Sequence, residues 1–140
     1  MDDYAQVKFH GPDDLEQWVL ALKEAGVDIL HVSTRDALDP GFPDVHPTRT
    51  LAAWSKRLSG LPTIAVGKVS VTLAMDESYG DAKSLVVDPG PAIDLVEQGE
   101  VDFLAVGRAL IANPDWVIKV REGKWQELEP FHKDMLKTLD

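Results

Sequence analysis

Two glycine–base pairs, Gly67-Lys68 and Gly107-Arg108, are the residues in this chain best suited to chemistry. Each closes a short apolar run: Thr63-Ile64-Ala65-Val66 before the first, Val101-Asp102-Phe103-Leu104-Ala105-Val106 before the second. A glycine lets an anionic group approach the backbone, where the N–H groups of the following turn can meet it. The base beside it adds charge. Arg108 adds it as a planar fork that matches phosphate oxygens in a way an ammonium does not. One such pair is an ordinary turn with a solvated base. Two pairs, one strand–helix unit apart and hence on neighbouring strand tips, make phosphate binding the chemistry that this pattern predicts.

The elements that must position these pairs are legible around them. A third apolar run, Val27-Asp28-Ile29-Leu30-His31-Val32, precedes the other two. All three are nearly continuous rather than alternating, as in strands buried on both faces of a parallel sheet. Helical patterns separate them. Asp13 with Glu16 three residues on reads as a capped start, and Leu15, Trp18, Val19 and Leu22 follow at helical spacing up to Gly26. Residues 50–58 and 91–98 give two more helices, closed near Gly60 and Gly99. Asn113-Pro114-Asp115-Trp116 reads as a further start, with Asn113 as cap, running to Arg121 and Gly123. A last helix is expected over residues 130–139. Alternation of this kind means parallel strands in an α/β fold. The two long connections, residues 33–48 and 69–91, both follow strands, at the edge where such folds place ligands.

Composition narrows the possibilities. The 140 residues carry 14 Lys+Arg against 24 Asp+Glu, a formal net charge of −10, which argues against general nucleic-acid binding. Any anion must therefore be held locally. There is no cysteine, which excludes disulfides, thiolate metal sites and cysteine nucleophiles and fits a reducing cytoplasm. No apolar stretch is long enough to span a membrane and no secretory signal is expected. His10, His46 and His132 lack metal-ligand spacing, and no metal is expected. His31, inside a strand run, reads as a packed histidine; Trp18, Trp54 and Trp116 read as core, and Trp125 as a pin for the C-terminal segment. Ser33-Thr34-Arg35-Asp36 and Tyr79 stand in the long connections as possible ligand contacts or plain loop residues.

The block from Val101 to Trp116, with its Gly107-Arg108-Ala109-Leu110-Ile111-Ala112-Asn113-Pro114-Asp115 core and the Lys119-Val120-Arg121-Glu122-Gly123 that follows, resembles the C-terminal signature of the old yellow enzyme family. These are FMN-dependent ene-reductases and related NADH:flavin oxidoreductases. Pro62-Thr63-Ile64-Ala65-Val66-Gly67 is similar to that family's preceding strand, and Gly26-Val27-Asp28-Ile29-Leu30-His31-Val32-Ser33 to the one before it. The likeness covers about residues 18–131. It implies a partial (β/α)8 TIM barrel, residues 1–140 forming one partial-barrel domain with the last three strands and their helices. It also implies FMN, held by its phosphate at Gly67 and Lys68 in the seventh-strand loop and at Gly107 and Arg108 in the final loop. NAD(P)H is the implied reductant and an activated alkene the implied substrate.

Lys68 stands where the family pattern leads one to expect a small residue, often Gly. The family's flavin-ring contacts, its His/His or His/Asn pair, its Tyr proton donor and its Arg near the flavin all lie upstream of the matched segment. No catalytic residue is carried over, and no turnover is expected of the chain alone. Two other readings stand beside this one. Three parallel strands leave two unpaired edges, so the chain is alternatively a non-catalytic half-barrel forming a homo-oligomer or joining a complementary half. It is also readable as a phosphate-binding α/β protein outside the flavin group.

Overall fold

A computed structural model describes residues 9–74, 77–79 and 84–138. Helix α1 (Pro12–Glu24) leads to strand β1 (Leu30–Ser33), α2 (Leu51–Ser59), β2 (Thr63–Val66), α3 (Gly90–Glu97) and β3 (Phe103–Leu104). Two short helices, α4 (Arg108–Ala112) and α5 (Trp116–Arg121), complete the regular part. Among the described residues, single-turn 3₁₀ segments lie at Glu77–Tyr79 and Trp125–Glu127, and a longer one at Lys133–Thr138 replaces the expected last α-helix. The strands form one parallel sheet in the order β1-β2-β3. Register pairs Leu30 with Thr63 and Ile64 with Phe103. The fold is therefore α/β with three parallel strands in one open sheet and flanking helices.

Strand alternation splits the sheet residues between two environments. Leu30, Thr63 and Ala65 are buried against the helices, with Val32 and Leu104 partly covered beside them. α1 contributes Leu15 and Val19, and α2 contributes Trp54, to the packing at the β1 side. Val69, Val71, Ala92, Ala109, Trp116 and Leu128 form a second cluster beyond β3. The opposite face carries His31, Ile64 and Phe103 in one lateral row, and Phe103 is 53% exposed. The continuous apolar runs predict cover on both faces, and here one face is open. His31 accordingly points from the open face and is exposed, not packed as expected.

Three local expectations are corrected by the structure. α1 starts at Pro12 after Gly11, with no side-chain cap; the Asp14 carboxylate instead accepts the His10 N–H at 3.0 Å. Trp18 is 54% exposed, because it lies one residue off the Leu15–Val19 stripe, and it packs on Phe9. Trp54 and Trp116 are buried as expected. Asn113 does not cap the helix after it. Its carboxamide accepts the Glu129 N–H at 2.7 Å and donates to the carbonyls of Ala109 and Glu129 at 3.1 and 3.0 Å. A buried amide satisfied this way pins the C-terminal segment to α4. Trp125 packs against the same cluster as Trp116.

The long connection after β2 is folded onto the body. Val71 bridges Val86 and Ser84 bridges Phe131, both antiparallel, and the Leu73 N–H donates to the Ser84 hydroxyl at 3.1 Å. Gly80 and Asp81, in the same connection, lie outside the described residues. No helix among the described residues is long and apolar enough to cross a membrane.

At the amino end of the sheet, one carboxylate ties three elements together. Asp102 Oδ1 accepts from Lys56 Nζ of α2 at 2.9 Å, and Oδ2 accepts the Thr63 N–H of β2 at 2.9 Å. Lys56 also donates to the Gly99 carbonyl at 2.9 Å. The Lys56 hydrogen bond, followed by the Thr63 N–H, holds the Asp102 carboxyl below its ordinary value of 3.8. The charged form is favoured in the folded state, so this contribution is present above the unfolded pKa. It is lost as the pH falls through the lowered folded one. Asp102→Asn is expected to cost about 1 kcal/mol at neutral pH, since the group is only partly shielded from water. Urea titrations between pH 7 and pH 3 should show the gap between variant and parent narrowing toward acid.

Candidate functional site

At the carboxyl edge of the strands a cavity of about 380 Å³ collects all four residues that the sequence pattern singles out: Gly67, Lys68, Gly107 and Arg108. Ser33 and Arg35, from the end of β1, line it as well. A cavity of about 410 Å³ at the opposite end holds more charge, including Arg57. There Arg49 lies 3.9 Å from Glu100 and Lys56 2.9 Å from Asp102.

The two glycines are needed for different reasons. Gly67 has φ +152, and a Cβ built on it lies 2.6 Å from the Thr34 carbonyl oxygen and 2.8 Å from the Ala37 nitrogen. The segment after β1 is laced onto it: Thr34 N–H donates to the Val66 carbonyl and Ala37 N–H to the Gly67 carbonyl, each at 3.0 Å. The Thr34 hydroxyl lies within reach of the carbonyls of Asp36 and Val66, at 2.9 and 3.0 Å. Gly67 is thus glycine because this chain's own backbone occupies the place of a side chain. Gly107 is different. Its backbone, φ −104 and ψ −88, is not left-handed, and a Cβ there meets nothing within 4 Å. The space above it belongs to the cavity.

The two bases also differ. Lys68 sits in the left-handed region, φ +51, as does Ser70, φ +61. Non-glycine residues there store strain, and two within three positions mark a tightly constrained corner. Lys68 Nζ lies 3.7 Å from Asp36 Oδ2, a loose pair that partly offsets its charge. Arg108 reaches back over the connection after β2. Its Nη1 donates to the Ala74 carbonyl at 3.1 Å and to the Ser78 hydroxyl. Sequence reading gave no role to Ala74 or Ser78. An alanine and a serine carry no periodic or charge signal, and the neighbouring Tyr79, whose side chain lies outside the described part, is the more visible residue.

Among the described residues no group of three or more His, Cys, Asp or Glu is placed to hold a metal. The arrangement suits a monoanionic or dianionic oxygen group: a guanidinium, an ammonium and open backbone at Gly107, in a chain otherwise strongly acidic.

Comparison with known proteins points the same way in coarse terms. No family model matches the chain. It is 31% identical over 115 residues to an NADH oxidase of Thermoanaerobacter brockii, covering 76% of this chain and 15% of that protein. It is 29% identical over 115 residues to a probable NADH-dependent flavin oxidoreductase of Bacillus subtilis, covering 81% of this chain and 26% of the relative. An NADPH dehydrogenase of Geobacillus thermodenitrificans is 30% identical over 105 residues, 74% of this chain and 26% of its own length. The chain thus spans between 15 and 26% of the length of these relatives. Over about three quarters of its residues it is similar to NADH- or NADPH-dependent oxidoreductases, one of them named a flavin oxidoreductase.

Two substitutions separate scaffold from ligand here. Gly67→Ala should destabilise the chain by about 3 kcal/mol in urea melts, because the clash is with backbone that cannot rotate away. Lys68→Gly relieves left-handed strain but adds unfolded-state freedom, so stability should stay within about 1 kcal/mol of the parent while anion affinity falls.

Proposed function

We propose that the chain is an FMN-phosphate-binding portion of an old-yellow-enzyme-like NAD(P)H-dependent oxidoreductase, built as the last three strands of a (β/α)8 barrel. One observation carries this reading: Gly67, Lys68, Gly107 and Arg108, from two separate strand ends, line a single cavity at the carboxyl edge of a parallel sheet. That edge, at the last two strand–helix connections, is the phosphate site of many α/β barrels. The similarity to flavin oxidoreductases covers the same residues' surroundings.

The fit to FMN rests on Gly107. A Cβ at that position would project into open space rather than into protein, so an anion's oxygens have access to the backbone there. Arg108 is the principal charged partner and Lys68 the second. FMN, when bound, supplies the redox-active ring that accepts hydride from NAD(P)H and passes it to an activated alkene. The chain's own residues bind and orient its phosphate. None of them is assigned a proton transfer, and the substrate-binding and proton-donating groups are proposed to lie on other parts of the complete barrel.

Purified chain titrated with FMN should quench flavin fluorescence and shift the visible band, with saturation near one equivalent. Arg108→Ala should weaken binding by about 2 kcal/mol, roughly thirtyfold, as for a lost charged hydrogen bond. Gly107→Ala should leave stability within about 1 kcal/mol and still reduce FMN affinity. Undiminished affinity in both variants would contradict the assignment.

A second reading is favoured by the open face. Phe103, on the open face at β3, is 53% exposed, and Ile29, just before the unpaired edge of β1, is 42% exposed. A half-barrel that closes by self-association or with a complementary half covers these residues. Sedimentation should then show a species well above the 15.4 kDa monomer.

A further inference from the structure

Arg108 is a long side chain, and its use as an anion ligand depends on where its guanidinium is held. Ala74 and Ser78 take part in holding it. Ser78 is buried, 4% exposed, and its hydroxyl donates to the Ala74 carbonyl at 2.9 Å. That leaves the oxygen's lone pairs to accept, and Arg108 Nη1 donates to it. The Ala74 carbonyl receives the same Nη1 at 3.1 Å and the Ser78 N–H at 3.1 Å. Ala74 is itself buried, and its N–H is taken by the Glu77 carboxylate at 2.6 Å. The turn is thus closed on itself before Arg108 arrives and presents two preset oxygens to one guanidinium nitrogen.

We infer that Ser78 is a positioning residue for the phosphate site: its buried hydroxyl, oriented by Ala74, fixes the guanidinium of Arg108, a residue that lines the cavity. This rests on the reading that the cavity binds a phosphate. The chemical reason is preorganisation. Rotamer freedom removed in the free protein is not lost again on binding, so an anion meets a fixed fork instead of a mobile one. Without the hydroxyl, one acceptor at Nη1 disappears and the guanidinium is held less firmly in place. Ser78 touches no ligand in this account; it acts through Arg108.

The test compares FMN with riboflavin, which differ only in the phosphate. In the parent chain the ratio of the two affinities measures what the phosphate contributes. Ser78→Ala should lower FMN affinity by about five- to tenfold and leave riboflavin affinity unchanged. Ser78→Thr, which keeps the hydroxyl, should preserve the ratio. Arg108→Ala should lower it further, and adding Ser78→Ala to Arg108→Ala should change nothing more, since the serine has no other route to the ligand. Thermal melts check that each variant is folded, and Ser78→Cys, close in volume but a poor acceptor, replaces Ser78→Ala if that variant does not fold.

A ratio that stays at the parent value in Ser78→Ala while Arg108→Ala collapses it overturns the positioning role and leaves the phosphate reading standing. Equal weakening of FMN and riboflavin in Ser78→Ala shows a merely structural serine and also overturns it. A ratio moved by neither variant, or no FMN binding by the parent chain, overturns the phosphate reading and this inference with it.

Discussion

The close packing of residues 34–37 on Gly67 is the contact on which the carboxyl edge of this protein depends. Backbone lies where a side chain would be, with the Thr34 oxygen 2.6 Å from the position of a Cβ. That approach turns the chain sharply after β2 and places Lys68 in the left-handed region with its ammonium turned toward Asp36. It also brings the end of β1 against the end of β2, so that Ser33 and Arg35 face the same space as Gly107 and Arg108. Without it, the two glycine–base pairs would be two separate turns.

The two ends of the sheet are held by different contacts. At the amino end, Asp102 joins α2, β2 and β3 through a lysine and a backbone N–H. At the carboxyl end, Arg108 spends part of its hydrogen-bonding capacity on neutral oxygens of Ala74 and Ser78. Acceptors of this kind orient a guanidinium. In a chain of net charge −10, capture of an anion depends on local bases such as these.

Much of this was legible in the sequence, because it rests on short-range rules. Three apolar runs separated by helical patterns gave the α/β order, and the spacing of Gly67-Lys68 and Gly107-Arg108 put both pairs at one edge. What was not legible depends on tertiary context. The reason for Gly67 is a backbone approach from residues 30 positions away, and sequence offers no sign of whether a glycine makes room for a ligand or for the chain itself. Asn113 looks like a cap by residue type, yet its carboxamide is claimed by Glu129, a partner that no local rule reveals. His31 reads as interior because its run is apolar, while the sheet it joins is covered on one face only; Trp18 reads as core from its helical spacing but lies one residue off the buried stripe of α1. Ser78 has no sequence signature; only its burial and its bond to Arg108 single it out.

The central claim is that the phosphate of FMN is held at Gly107 and Arg108. Phosphorus-31 NMR of FMN reads that group directly and is blind to how the ring is bound. With the parent chain added, the account predicts that the FMN phosphate resonance broadens and shifts, and that Arg108→Ala abolishes the change. A resonance that stays sharp and unshifted at protein concentrations that quench flavin fluorescence would contradict it, placing the ring elsewhere and leaving the two glycine–base pairs without a ligand.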